Sequence, residues 1–226
     1  MFYNYSFFHS LFHPSTLTTA VSNSNEIRGY KRRVFFVLLF TLAVFAVQNI
    51  WGMGTSSFSH LFATNDAKTY FTARMISFIA TLIWAGLFFI FHYFFVSLIL
   101  FMLTEVSQKW IRKVQLYVVA TLMIEKLILF IVFYIVGYAT NLNFFSVAPL
   151  VAKVTNEDFV LFALNQLTIF SVLTIIIQYT FIKRWMETSA HKQLLTRIIG
   201  IHVLFAIIIG LLSALPLQDW IVRGLS

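Results

Sequence analysis

Residues 114 to 138 read Val-Gln-Leu-Tyr-Val-Val-Ala-Thr-Leu-Met-Ile-Glu-Lys-Leu-Ile-Leu-Phe-Ile-Val-Phe-Tyr-Ile-Val-Gly-Tyr, and the fold is decided in this stretch. Crossing about 30 Å of hydrocarbon takes roughly 20 predominantly apolar residues in a helix, and this run is long enough. It also carries two charges, Glu125 and Lys126, where lipid would surround them. Each charge costs about 2.5–3.5 kcal/mol at the bilayer centre, or about 5–7 kcal/mol for the pair. The fifteen Leu, Ile, Val and Phe of the run return about 0.3–0.6 kcal/mol each, about 4.5–9 kcal/mol together. Insertion is therefore marginal unless the charges are met or neutralised. Neighbouring residues on a helix point about 100° apart, so Glu125 and Lys126 do not simply pair with each other.

Four further runs of this kind flank it: Val34 to Trp51, Met75 to Leu103, Phe159 to Ile182, and Ile198 to Leu215, the last stopped by Pro216. The chain of 226 residues is 60% apolar and only 11% charged, with a mean hydropathy of +0.86. Soluble domains carry about 45–50% apolar and about 25% charged residues, so a cytoplasmic enzyme and a nucleic-acid module are excluded. The connections between runs are too short and too poor in apolar residues to bury a core of their own. The expectation is an all-α polytopic membrane bundle of five transmembrane helices, with a tail over 1–33 and a membrane domain over 34–226.

Lysine and arginine set the orientation. Arg28, Lys31, Arg32, Arg33, Lys109, Arg112, Lys113, Lys183, Arg184, Lys192 and Arg197 fall on one side of the five runs, and Lys68, Arg74, Lys153 and Arg223 on the other. Eleven against four predicts a cytoplasmic N-terminus, an external C-terminus and a multi-pass protein of the cell membrane. The net charge of +8 is then mostly topology, and membrane lipids are the expected surroundings. A cleaved signal peptide is not expected, because the first apolar run starts only at Val34 and already suffices to span. In the tail, Phe7, Phe8, Leu11 and Phe12 recur at helical spacing before Pro14, as in an interfacial anchor. His9 and His13 stand at i, i+4 but lack a third ligand, so headgroup contact outweighs metal binding.

Polar positions mark the expected interior. His92 continues a stripe of Ser77, Thr81 and Ala85; Ser171, Thr174 and Gln178 share a face of the fourth run; His202 shares a stripe with Ala206, Gly210 and Ala214 that admits close helix approach. Glu125 reads either as a proton or partner site facing an interior or a subunit interface, with His92 or His202 as candidate partners, or as an acid protonated or bonded to another helix beside a Lys126 that reaches along its stem toward the headgroups. No cysteine is present, so disulfides and thiolate metal sites are excluded. His-Glu-x-x-His, Gly-x-Ser-x-Gly and phosphate-binding glycine loops are missing, and neither an enzyme nor a cofactor is expected.

The order of elements resembles the Yip1 family of five-span membrane proteins. Phe7-Phe8-His9-Ser10-Leu11-Phe12-His13-Pro14 is similar to the family's aromatic, proline-ended segment ahead of the first span. Asn165-Gln166-Leu167-Thr168-Ile169-Phe170-Ser171-Val172-Leu173 is similar to the Asn-x-Phe-x-Ile-Trp pattern that opens the fourth span of bacterial members. The acidic N-terminal region and Tyr-Gly-Pro motif of the eukaryotic branch are absent, so binding of Rab-type GTPases is not carried over. The resemblance implies a non-enzymatic accessory or scaffold protein that assists another membrane complex, such as an ABC-type exporter. The alternative read from the residues themselves is a small proton-coupled transporter using Glu125. Neither reading fixes the oligomeric state.

Overall fold

The computed structural model describes residues 29–55 and 67–214, together with Tyr3, Asn4, Leu11, His13, Ser15, Thr19, Ile27 and Arg28. Among the described residues the fold is helical apart from a two-residue parallel pairing of Tyr3–Asn4 with Ile27–Arg28 and a single antiparallel bridge between Ser146 and Thr168. Helix α1 (Tyr30–Trp51) starts after Gly29 and ends at Gly52, both left-handed, at φ 85 and 110. A Cβ is disfavoured in that conformation, which punctuates the apolar run at both ends.

The end of α1 is closed by charge as well as by its backbone. Arg74 donates from one guanidinium nitrogen to the carbonyls of Asn49 (2.8 Å) and Ile50 (3.0 Å), and from another to Thr55 Oγ1 at 2.7 Å. A cation on the last carbonyls of a helix complements its dipole and satisfies acceptors that the helix leaves open. Arg74→Met keeps the apolar stem and removes all three bonds, so it is expected to lower stability by about 1.5–3 kcal/mol. A thermal melt in mild detergent checks this; an unchanged midpoint would mean that water caps the helix equally well.

Helices α2 (Ala67–Ile90) and α3 (Val96–Thr104) are joined without a break by a π-helical turn, Phe91–Phe95. The resulting rod, Ala67–Thr104, has 38 residues. At about 1.5 Å per residue it runs about 57 Å and projects well past the hydrocarbon. Lys68 and Arg74, expected in a loop, lie on this rod. Helix α4 (Gln108–Val136) is the central element and packs against α1, α3 and α7. Arg197 of the last helix donates to the carbonyl of Leu103, near the end of the rod.

The fourth apolar run is where the expectation fails. Instead of one helix over 159–182 there are two, α6 (Asp158–Asn165) and α7 (Ile169–Ile182), after the single turn α5 (Ala148–Val151). Polar side chains inside the run start a new helix at the break. Thr168 Oγ1 accepts from the Ser171 backbone N–H, and Ser171 Oγ accepts from that of Thr168, a reciprocal cap at 3.0 Å each way. The loop after α4 then pairs with the break, since Ile169 N–H donates to the Phe145 carbonyl at 3.3 Å. The final helix, α8 (His191–Ala214), starts before the expected Ile198. Leu215, where its run was expected to end, lies outside the described residues, as does Pro216.

Four helices among the described residues are long and apolar enough to cross a membrane: Tyr30–Trp51, Ala67–Thr104, Gln108–Val136 and Thr188–Ser213. Their outward faces, such as Ile79, Ile83, Trp84 and Leu87 on α2, stay exposed. Long apolar helices with unburied apolar faces identify a multi-pass membrane protein. The interior is filled by three clusters. Val37, Phe45, Ala85, Phe89 and Met123 join α1, α2 and α4; Val114, Tyr117, Ile177 and Phe181 join α4 and α7; Leu100, Ile111, Leu194 and Ile198 join α3, α4 and α8. In the tail, partly buried Leu11 packs against the α4–α7 cluster. Phe7, Phe8, His9, Phe12 and Pro14 lie outside the described residues.

Candidate functional site

The broken helix borders a chamber. Its volume is about 360 Å³, and its walls come from the α2–α3 rod, α4, the loop after α4, the α6–α7 break and α8. From α4 it receives Glu125 and Lys126; from the rod, Phe88, His92 and Val96; from α7, Ser171, Thr174 and Gln178; from α8, His202, Phe205 and Ala206. Thr140 to Asn143 with Asn165, Gln166 and Thr168 form one end, and Met53 adds to the wall. Polar and apolar side chains line it in about equal number, and the polar ones converge from several elements.

Four titratable side chains line the chamber: Glu125, Lys126, His92 and His202. Glu125 is only 7% exposed, and its carboxylate is met by an amide rather than by the histidine expected for it. Asn143 Nδ2 donates to Glu125 Oε1 at 2.7 Å. Asn143 is itself fixed, its Oδ1 accepting from Phe145 N–H at 2.8 Å and its backbone N–H donating to Asn165 Oδ1 at 2.6 Å. Asn165 Oδ1 also accepts from Ser146 Oγ at 3.2 Å, and its Nδ2 donates to the Asn141 carbonyl at 3.3 Å. The acid on α4 is thereby tied through two asparagines to the helix break.

Lys126 extends between aromatic rings. Its Nζ lies 5.3 Å from the ring centre of Phe45 and 5.6 Å from that of Phe88, between α1 and α2. Two aromatic faces attract a cation but accept none of its hydrogen bonds in full. Among the described residues no carboxylate comes within ion-pair distance of it. The backbone carbonyl of Lys126 accepts from Gln48 Nε2 at 2.9 Å, which pins α1 to this level of α4.

The histidines are placed separately. His202 Nε2 is 3.1 Å from Gln178 Oε1, so the ring donates to the amide oxygen across α7 and α8. His92 sits in the π-helical turn, its ring 4.3 Å from that of Phe88 and 5.3 Å from that of Phe91. A π-helical turn adds one residue and shifts the following side chains by about 100°, and such turns recur at functional sites. Ser77 and Thr81, on the His92 stripe, serve another purpose. Both accept from Asn49 Nδ2, at 3.1 and 3.0 Å, and so lock α1 to α2.

The stripe on α8 packs inside the chain. Ala206 and Gly210 are buried, and a Cβ built on Gly210 would lie 2.8 Å from Ala163 Cβ and 3.0 Å from the Phe159 carbonyl oxygen. Helix α6 thus rests on the backbone of α8. The side chain of Ala214 lies outside the described part. No cluster of three or more His, Asp or Glu that could hold a metal occurs among the described residues.

Sequence reading found His92, Glu125, Lys126, Gln178 and His202, and the chamber gathers all five. It missed Asn143 and Asn165. The available signal was a cluster of polar residues, Asn165, Gln166 and Thr168, within a run otherwise fit to span. Among known proteins, no family model, no curated protein and no solved structure matches this chain.

Proposed function

We propose that this multi-pass membrane protein binds a small polar solute in the chamber at the α6–α7 break and carries it across the membrane, with Glu125 taking up and releasing the coupled proton. The observation that carries the reading is the broken helix itself. Its interruption brings Asn165, Gln166, Thr168 and Ser171 to a chamber that also holds Glu125 and Lys126. Non-helical backbone at membrane depth is tolerated where it lines a cavity, and discontinuous helices build the solute sites of many carriers. The pair α6–α7 serves as a fifth crossing, and the eleven-to-four distribution of Lys and Arg supports a cytoplasmic N-terminus and an external C-terminus in the cell membrane.

The test is uptake into liposomes that carry the purified full chain, under a pH gradient, with a panel of small acids, amines and neutral polar molecules. At least one class should accumulate above protein-free liposomes, and Glu125→Gln should abolish its response to the gradient. A panel that enters no faster than through bare lipid would reject the reading.

A second reading is a Yip1-type accessory role, assisting another membrane complex such as an ABC-type exporter. What favours it is the place of the resembling stretch. Asn165 to Leu173 coincides with the break and its reciprocal cap, where a family would keep the pattern for structural reasons. Under this reading the protein copurifies with a partner complex in mild detergent and moves no solute alone.

A further inference from the structure

We infer that the chamber takes a small organic carboxylate whose anionic group docks on Lys126, together with one proton carried by Glu125. This rests on the solute-binding reading above and names its substrate class.

The first step is the ammonium of Lys126. It has three donors, faces two phenyl rings, and has no hydrogen-bonding acceptor among the described residues. A half-buried ammonium set against apolar side chains still demands acceptors. The planar, doubly accepting oxygen pair of a carboxylate supplies them. The neighbouring walls, Phe88, Leu122, Val96 and Phe205, suit the apolar body of such a solute rather than a second charge. A cavity of about 360 Å³ admits a molecule the size of an aromatic acid.

The second step is charge balance. With Lys126 positive and Glu125 negative the empty chamber is neutral, and an added carboxylate would leave a net buried negative charge. A proton taken from water restores neutrality: one carboxylate and one proton enter, and Glu125 becomes the neutral acid. His92 and His202 are the other titratable groups facing the chamber. The Nε2 of His202 already donates to Gln178 Oε1, and His92 is flanked by Phe88 and Phe91, which offer an imidazolium no acceptor in their ring planes. Glu125 is better suited. Asn143 occupies Oε1 alone, and Oε2 has no partner among the described residues, so it can carry the proton while the amide bond persists.

Equilibrium binding to the purified full chain in detergent, independent of transport, tests this with three probes of one shape: benzoate, benzamide and benzylamine. Benzoate should bind more tightly than the other two. Lys126→Met should weaken benzoate by roughly ten- to a hundredfold, whereas Lys126→Arg should stay within about threefold. Heats measured in two buffers of different ionisation enthalpy should show close to one proton taken up per benzoate, and none in Glu125→Gln. If benzamide or benzylamine binds as well as benzoate, or Lys126→Met binds benzoate normally, the carboxylate assignment is overturned while solute binding stands. Proton uptake that persists in Glu125→Gln overturns the proton assignment. Failure of all three probes to bind a well-folded protein overturns the inference, and the uptake panel then decides separately whether any solute is carried.

Discussion

Gly210→Leu is expected to lower the melting midpoint more than any other single substitution on α8. The reason is geometric: even a methyl group at this position would meet Ala163 Cβ at 2.8 Å and backbone atoms of Ala163 and Phe159 at 3.0 Å. Two of these three obstacles are backbone, which cannot rotate away, so α6 itself must move. Overpacking of this kind costs about 1–3 kcal/mol when side chains can adjust, and a leucine against backbone lies at or above the upper end. Gly86 and Gly200 are internal controls, since a Cβ on either meets nothing within 4 Å. Leucine at those two helical positions should leave stability unchanged or raise it, because glycine is about 1 kcal/mol worse than a good helix former. Melts of the three variants in one detergent decide the matter. If Gly210→Leu melts with the two controls, α6 does not rest on α8 as described.

The same contact explains how far the sequence could be read. A small residue every fourth position on α8 announced a close helix approach, and the identity of the neighbour could not be told from it. Four of the five apolar runs were legible because length and hydropathy alone select a spanning helix. The fourth run has that length and hydropathy too, and it misled because the break depends on tertiary partners. Thr168 caps α7 with Ser171, which is local and visible as a Thr-x-x-Ser spacing, but Asn165 is held by Asn141, Asn143 and Ser146 from a loop some twenty residues earlier. Glu125 was recognised as a buried acid by the cost of its charge. Its partner was sought among titratable groups within the spans, whereas the structure supplies a neutral amide from the loop. An amide satisfies a carboxylate without adding a charge of its own, which the charge arithmetic that singled out Glu125 could not register.

That amide is the subject of the second large effect. Asn143→Leu removes the donor to Glu125 Oε1 and the acceptor for Phe145 N–H, at about 1–3 kcal/mol for each buried group left unmet. Loss of about 2–6 kcal/mol is expected, read as a lower melting midpoint in detergent. The companion substitution separates cause from consequence. Glu125→Leu deletes the carboxylate and one of the two intramembrane charges of α4, so in that background Asn143→Leu should cost clearly less than it does in the wild type. The difference is the coupling energy of the pair. Strict additivity would show that the amide stabilises the loop and not the acid. Glu125→Gln behaves differently again, because its amide oxygen still accepts from Asn143 Nδ2 while the side chain can no longer carry a titrating proton. Its stability should therefore stay close to wild type. If it instead melts like Glu125→Leu with Asn143 intact, the bond at 2.7 Å requires the charge of the carboxylate.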